Sequence, residues 1–190
     1  MFKDLVYASR SVRSFKPDTD ISEDTLKAFV DIARKTPAAM NMQPLKYRLV
    51  TLESERASLM SITRWATNLK IKLPPAGHEP SAFIVICHDK RIAEERPIFM
   101  IDVGISAQTI LLAAREAGIG GCLIGSATGD AISGALGLEE HLTPKLIVAL
   151  GIPDEAPVLE DETDGSVTYY RDTDNVHHVP KRKLEDIIIK

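Results

Sequence analysis

Residues 36–50, TPAAMNMQPLKYRLV, join a helical pattern to a strand pattern and contain two amide side chains between two prolines. Asn41 and Gln43 stand two positions apart and are flanked by Pro37 and Pro44. Asn often satisfies nearby backbone groups in turns, so a structural role for both amides is one interpretation. The other interpretation is that the loop binds a flat polar ligand through its donors and acceptors. Taken alone, the stretch favours the structural role.

Helical and strand patterns extend on both sides of this loop. An apolar stripe at helical spacing predicts a helix over residues 22–35, which Ser22 can cap and Pro37 ends. The continuous apolar run 82–87 predicts a strand that is buried on both faces. The other patterns predict helices over 2–9, 55–68, 97–117 and 130–136, strands over 47–52, 122–125 and 145–150, and a loop over 73–81.

Two segments suggest contacts beyond the core of one chain. The predicted helix over 97–117 is apolar nearly all round and stops at Gly118, so it is either central or part of a subunit interface. The acidic stretch 154–165 has almost no core-forming periodicity, and we interpret it as a solvated loop. Structure is expected to return over 167–190. A tail that a polar loop separates from the core often packs on a partner subunit.

Composition excludes several classes of function. The chain has 190 residues, 44% of them hydrophobic and 26% charged, which suits one soluble globular domain with a substantial core. Its net charge of −4 argues against a nucleic-acid or membrane-surface binder, and no apolar run is long enough to span a membrane. The N-terminus lacks the pattern of a signal peptide. Cys87 and Cys122 lie in apolar runs, so we expect buried free thiols and a cytoplasmic location.

Two basic clusters are candidates for binding an anion. Arg10, Ser11 and Arg13 can converge on one phosphate, because each guanidinium offers a rigid fork of donors. The alternative is a solvated basic turn. The second cluster begins with Lys181 and Arg182, and surface solubility is the simpler explanation for it.

The glycine-rich stretch 118–130, GIGGCLIGSATGD, can bring backbone N–H groups close to a ligand. It is not a dinucleotide fingerprint, because Leu123 stands where the third glycine is required, and no phosphate-binding GK[ST] follows. A tight helix-to-strand turn is the alternative. His177 and His178 do not predict a metal site, because neighbours on a strand point to opposite faces, and no CxxC or HExxH spacing is present.

In this order, the motifs resemble those of the FMN-dependent nitroreductase family. The resemblance extends over about residues 3–188 and rests on RSVRSF (10–15), PAAMNMQP (37–44), GIGGCLIG (118–125), LIVALGIP (146–153) and HHVPKRKLEDIII (177–189). In that family the loop that here carries Asn41 comes from one subunit and reaches an FMN held mainly by the other. The resemblance therefore favours a ligand-binding role for the two amides.

The resemblance implies an α+β fold with a mixed, mainly antiparallel sheet flanked by helices. It implies a single FMN-binding domain over 1–190 and a homodimer in which the tail, 167–190, packs on the partner. The implied phosphate ligands are Arg10, Ser11, Arg13 and Lys181 or Arg182. The implied ring contacts are Pro37, Ala38, Ala39, Asn41 and Gln43 from one subunit and Cys122, Leu123, Ile124, Gly125 and Ser126 from the other.

The implied activity is electron transfer from NADH or NADPH, through FMN, to a small electron-poor acceptor such as a nitroaromatic or a quinone. The flavin carries the chemistry, so no catalytic side chain is expected. The chain departs from the family pattern at Ser9, Ala38 and Leu45, and it lacks a Glu near Gly125. Three alternatives remain: a non-catalytic protein that stores or senses FMN, a flavin-dependent dehalogenase or flavin-cleaving enzyme on the same fold, and an α+β domain without flavin.

Overall fold

The computed structural model describes residues 1–189; Lys190, the last residue of the predicted tail, lies outside the described residues. The helices are α1 (Phe2–Ala8), α2 (Glu23–Ala33), α3 (Glu53–Ile62), α4 (Phe99–Glu116), α5 (Gly129–Leu136) and α6 (Leu184–Ile187), and a 3₁₀ turn covers Ala39–Asn41. The strands are β1 (Leu45–Val50), β2 (Ala82–Asp89), β3 (Gly120–Ile124), β4 (Leu142–Gly151), β5 (Val158–Asp161), β6 (Tyr170–Arg171) and β7 (His177–Lys181).

Two sheets organise these elements. The larger sheet has the strand order β1-β2-β4-β3, and its neighbouring strands are antiparallel. In the smaller sheet, of order β5-β7-β6, β5 runs parallel to β7 and β6 runs antiparallel to it. The α+β class and the mixed, mainly antiparallel pairing predicted from the sequence are therefore confirmed.

The larger sheet is covered by helices on both faces, which explains the continuous apolar run of β2. Ile84 and Ile86 point to a core cluster that includes side chains of α2 and α4. Phe83 and Val85 point to the opposite cluster, which includes side chains of α3 and α5. Successive residues of a strand face opposite ways, so both faces must be apolar. Each such side chain stabilises the fold by about 1.5–3 kcal/mol through burial.

Helix α4 is central, but part of it has no cover within one chain. Val103, Ala107 and Ile110 are buried against the sheet. Met100 and Ile101, near the start of the helix, are more than half exposed. Helix α4 is therefore apolar nearly all round, as expected, and an apolar surface is exposed near its N-terminal end. Within residues 1–189, no helix is both long and apolar enough to cross a membrane.

Two segments differ clearly from the sequence-based expectation. The helix predicted over 55–68 ends at Ile62, because Thr63 is extended (φ −98°, ψ 148°) and Trp65 turns into the core, where its indole N–H donates to Thr63 Oγ1 at 3.1 Å. The stretch 154–165 was expected to be a solvated loop, and this was wrong at β5. Its backbone pairs with β7, so long-range hydrogen bonds form a strand despite the acidic sequence.

Close packing explains two glycines near the end of β4 and the start of β3. A Cβ atom on Gly151 would lie 2.5 Å from the Phe15 ring, and one on Gly121 would lie 2.6 Å from the Ala149 carbonyl oxygen. Real Cβ atoms do not approach other atoms so closely. Gly151 therefore allows the segment after α1 to approach β4, and Gly121 allows β4 to approach the edge strand β3.

Candidate functional site

The two basic clusters of the sequence meet in one cavity. Arg10, Ser11 and Arg13, which follow α1, and Lys181, which ends β7, line a cavity of about 320 Å³. Arg182 is exposed and does not line it. Three cations and a hydroxyl group around one cavity form a donor set that suits a phosphate group.

Arg13 is held in a defined orientation by the C-terminal part of the chain. Its Nη1 lies 3.1 Å from Nε2 of His177, and its guanidinium carbon lies 5.5 Å from the centre of the Tyr169 ring. Its backbone N–H donates to Glu155 Oε1 at 2.5 Å. The contact with His177 uses one N–H group of the Arg13 side chain, so most of its five donors are free for a ligand.

His177 is a neutral acceptor for Arg13. It is only 3% exposed, and its pKa is lowered mainly by burial and further by the positive charges of Arg13 and Arg171. Because Arg13 can only donate, Nε2 of the imidazole accepts, and the ring proton lies on Nδ1. Nδ1 is buried, and among residues 1–189 it has no hydrogen-bond partner.

His178 points away from this cavity. Its ring nitrogens lie 2.9 Å from Glu160 Oε2 and 3.1 Å from Asp172 Oδ2, and its ring stacks on Tyr170 at 4.7 Å. The hydrogen bonds to Glu160 and Asp172 raise its pKa. The expectation that the two neighbouring histidines face opposite ways is confirmed. Within residues 1–189, no cluster of three or more His, Cys, Asp or Glu side chains is arranged to hold a metal ion.

A nearly buried ion pair supports the wall of the cavity. Glu155 and Arg171 form a salt bridge whose side chains are only 10% and 9% exposed. Arg171 also donates through Nη1 to the Asn175 carbonyl oxygen at 2.9 Å. Glu155 therefore links the Arg13 backbone to β6, which holds the C-terminal sheet against the segment after α1.

Arg10 has a structural contact as well as a place in the cavity. Its Nη2 donates to the Val6 carbonyl oxygen at 2.8 Å, near the C-terminal end of α1, where a cation is favoured by the helix dipole. Its Nε is buried and lacks a hydrogen-bond partner in the described residues, and burial lowers its pKa. Part of the effect of replacing Arg10 will therefore be a loss of stability.

The amide-containing loop has a strained backbone. Met40, Asn41 and Gln43 have φ angles of 52°, 54° and 51°, a left-handed conformation that costs non-glycine residues roughly 1–3 kcal/mol each. Gln43 Nε2 donates to Asn41 Oδ1 at 3.1 Å and to the Asn41 carbonyl oxygen at 3.2 Å. These hydrogen bonds within the loop give the amides the structural role that the sequence favoured, although both side chains remain exposed.

Helix α4 holds this loop through a buried carboxylate. The Ala39 N–H donates to Asp102 Oδ1 at 2.9 Å, and Asp102 Oδ2 is buried without a partner in the described chain. Asp102 also lines a cavity of about 130 Å³ below the loop, together with Pro37, Ala38 and Gln43. None of these loop residues lines the basic cavity. The predicted phosphate ligands and the amide-containing loop therefore do not meet within one chain.

The third set of predicted site residues, 122–126, lies along and just after β3. Leu123 is 39% exposed and lines the basic cavity, whereas Cys122 and Ile124 point into the core. Gly125 is exposed and follows the strand, and Ser126 Oγ accepts from the Arg64 N–H and donates to the Arg64 carbonyl oxygen, both at 2.8 Å. Burial raises the pKa of Cys122, which leaves a neutral thiol rather than a nucleophile.

Comparison with known proteins shows the family of this chain. The sequence profile of the family described as "Nitroreductase family" matches residues 7–152. The chain is 30% identical over 156 residues, covering 80% of this chain and 84% of the relative, to an Archaeoglobus fulgidus protein named "Putative NADH dehydrogenase/NAD(P)H nitroreductase". The chain belongs to the nitroreductase family. As the family name states, this places it among the oxidoreductases.

Solved nitroreductase structures share its fold. A nitroreductase family protein from Streptococcus pneumoniae superposes with a TM-score of 0.71 over 100% of both chains, at 18% identity. A protein from Exiguobacterium sibiricum described as a "putative nitroreductase in complex with FMN" superposes with a TM-score of 0.70 over 86% of this chain and 93% of that one, at 20% identity. At these identities the likeness concerns the fold.

Sequence reasoning about this family member missed three residues that shape the basic cavity. Glu155 lies in the stretch interpreted as a solvated loop, and Tyr169 and His177 belong to the tail. The strand alternation of His177 and His178 was the only available signal, and it showed that one of them must face inward. It did not show that Arg13 would be the partner, 164 residues earlier in the chain.

Proposed function

We propose that this nitroreductase binds FMN and passes electrons from NADH or NADPH to a small electron-poor acceptor such as a nitroaromatic or a quinone. The protein acts as a cytoplasmic homodimer, and residues 1–190 form one FMN-binding domain. The observation that carries the proposal is the convergence of Arg10, Ser11, Arg13 and Lys181 on one cavity. These residues lie at opposite ends of the sequence, so their convergence is a property of the fold rather than of local composition.

The donor set fits the phosphate of FMN. Arg13 offers its remaining guanidinium donors, Lys181 adds a second positive charge, and Ser11 supplies a hydroxyl group. Arg10 contributes charge and links the site to the end of α1. The exposed Arg182 is the weaker of the two candidates named from the sequence, because it lies outside the cavity lining.

The ring of the flavin is assigned to the surface next to this cavity. Leu123 supports it through its exposed side chain, and the backbone around Gly125 and Ser126 forms the neighbouring edge. Asn41 and Gln43 approach from the partner subunit. Their exposure, and their separation from the cavity of their own chain, support this assignment.

The protein groups bind, orient and exclude water, and they are not required to react. When bound, FMN supplies the redox chemistry. The high pKa of the buried thiols and the neutral His177 agree with a site that offers no nucleophile of its own. Apolar side chains such as Leu123 reduce the access of water to the ring.

The visible absorption spectrum of the purified protein tests the proposal. We expect a flavin spectrum, release of non-covalent FMN on denaturation, and oxidation of NADH or NADPH when a nitroaromatic or quinone is added. Protein that stays colourless after incubation with excess FMN and gel filtration would contradict the proposal. Protein that retains FMN but oxidises neither nicotinamide would instead indicate storage or sensing of flavin.

A further inference from the structure

A second, larger cavity lies between α3 and the irregular segment that follows it. Its volume is about 800 Å³, within the usual range for small-molecule sites. Residues 53–64 form one side, and residues 65–80 form the other. No residue of the basic cavity lines it, so it is a separate site.

The inner wall of this cavity is apolar. Met60, Trp65, Leu69 and Leu73 line it, and the indole N–H of Trp65 is already bonded to Thr63. The ring of Trp65 therefore presents only its hydrocarbon surface to a ligand. A molecule with an apolar body of substantial size suits this wall, because burial of each Å² of apolar surface is worth roughly 25 cal/mol.

The rim carries three cations that have no acidic partner. Arg56, Arg64 and Lys72 line the cavity, and across residues 1–189 none of them forms a salt bridge. Arg56 is the innermost candidate: its Nε is buried without a partner, and its Nη1 has only a 3.4 Å bond to the Pro80 carbonyl oxygen. A partly buried guanidinium with so few acceptors favours an anion beside it.

The two carboxylates of the rim do not neutralise these cations. Glu53 and Glu79 also line the cavity, and both are exposed. Glu53 lies in the first turn of α3, where the helix dipole already stabilises a negative charge. The rim therefore retains an excess of positive charge around an apolar interior.

We propose that this cavity binds an organic acid with an apolar body, its carboxylate next to Arg56 and its hydrocarbon part against Trp65. A purely polar anion would leave the apolar wall in contact with water. A neutral hydrophobic molecule would bury Arg56 further without giving it an acceptor, which is costly. An amphipathic carboxylate satisfies both parts of the cavity.

The cavity adjoins the segment assigned to the flavin ring. The Arg64 backbone is bonded on both its N–H and its carbonyl group to Ser126, so the rim and the segment after β3 are mechanically linked. A bound acid would thus lie beside this segment. The binding proposal does not rest on flavin, and it is tested separately by using the protein both with FMN and stripped of it.

Calorimetric titration with dodecanoate, below its micelle concentration, tests the site. Naphthalene-2-carboxylate is titrated in parallel to distinguish an extended acyl chain from a flat ring, and dodecanol serves as the neutral analogue. We expect saturable binding of at least one of the two acids. Arg56→Gln should weaken that binding about 10- to 150-fold, the loss of one charge-assisted hydrogen bond, and should not weaken the binding of dodecanol.

Two further variants separate local from general effects. Arg96→Gln removes an exposed arginine that lies outside this cavity and has no acidic partner in the described chain, so it should bind the acid as the parent does. Ala57→Trp, at an exposed position of α3, should fill the cavity and abolish binding without altering the core. No binding of either acid to the parent, or equal losses for Arg56→Gln and Arg96→Gln, would overturn the proposal.

Discussion

Replacing Arg13 with alanine tests whether the basic cavity holds the phosphate of FMN. The side chain uses Nη1 to donate to His177, and most of its donors remain free within the described residues. Alanine removes the positive charge and all five N–H groups but leaves the backbone bond to Glu155 in place. The expected result is weaker binding of FMN with little change in the fold of the larger sheet.

The size of the effect follows from the neighbouring cations. A hydrogen bond to a charged group contributes about 1.5–3 kcal/mol, and an arginine fork can make two with a phosphate. Because Arg10 and Lys181 remain in the cavity and share the phosphate charge, we expect the loss of about one such bond. This corresponds to a dissociation constant for FMN raised about 10- to 150-fold.

Quenching of flavin fluorescence on binding measures this change for FMN and for riboflavin, which lacks the phosphate. Riboflavin should bind the parent weakly and should be hardly affected by Arg13→Ala. Arg13→Lys retains the charge but not the fork, so its loss for FMN should be intermediate. Equal weakening of FMN and riboflavin by Arg13→Ala would refute the assignment and would make Arg13 a structural residue.

The remaining predictions concern pH, packing and assembly. Because the pKa of His177 is lowered in the folded protein, its contribution to stability is fully present above about pH 6.5. This contribution to the free energy of unfolding is lost as the pH falls through the folded-state pKa of His177. His177→Gln should flatten that loss in denaturant titrations between pH 5 and 8. Gly151→Ala should cost about 1–3 kcal/mol in the free energy of unfolding, whereas Gly134→Ala, which has open space in α5, should be neutral or stabilising; equal effects would contradict the packing argument. Asn41→Ala should weaken flavin binding but leave the dimer intact in sedimentation experiments. Deletion of residues 184–190 should weaken both flavin binding and dimerisation. A stable monomer that keeps its full FMN content would exclude a site shared between subunits.

The deletion tests the predicted exchange of the tail between subunits. Within one chain, β6 and β7 pair with each other and β7 with β5, so these residues of the tail contact their own subunit. Leu184, Ile187 and Ile188 of the final segment are more than half exposed. Exposed apolar side chains suit a contact with a partner, and the packing of the tail, 167–190, on a partner subunit stays a prediction.

Local patterns determined much of the fold. The continuous apolar run of β2 required helices on both faces of the sheet, and the stripe of α2 fixed the face that it buries. The order of the motifs was sufficient to predict the nitroreductase family. These features are encoded locally, because strand and helix periodicities are set by backbone geometry within one element.

The tertiary structure alone decided which of the predicted site residues meet. Lys181 and Arg182 are equivalent in the sequence, but Lys181 ends β7 beside Arg13, and Arg182 lies beyond the strand in solvent. The placement depends on the pairing of β7 with β5, in a stretch whose acidic composition predicted a loop. Such pairing satisfies backbone hydrogen bonds over long sequence distances, and it leaves no periodic signal in either segment. For the same reason, only the tertiary structure shows that the neutral His177 orients Arg13.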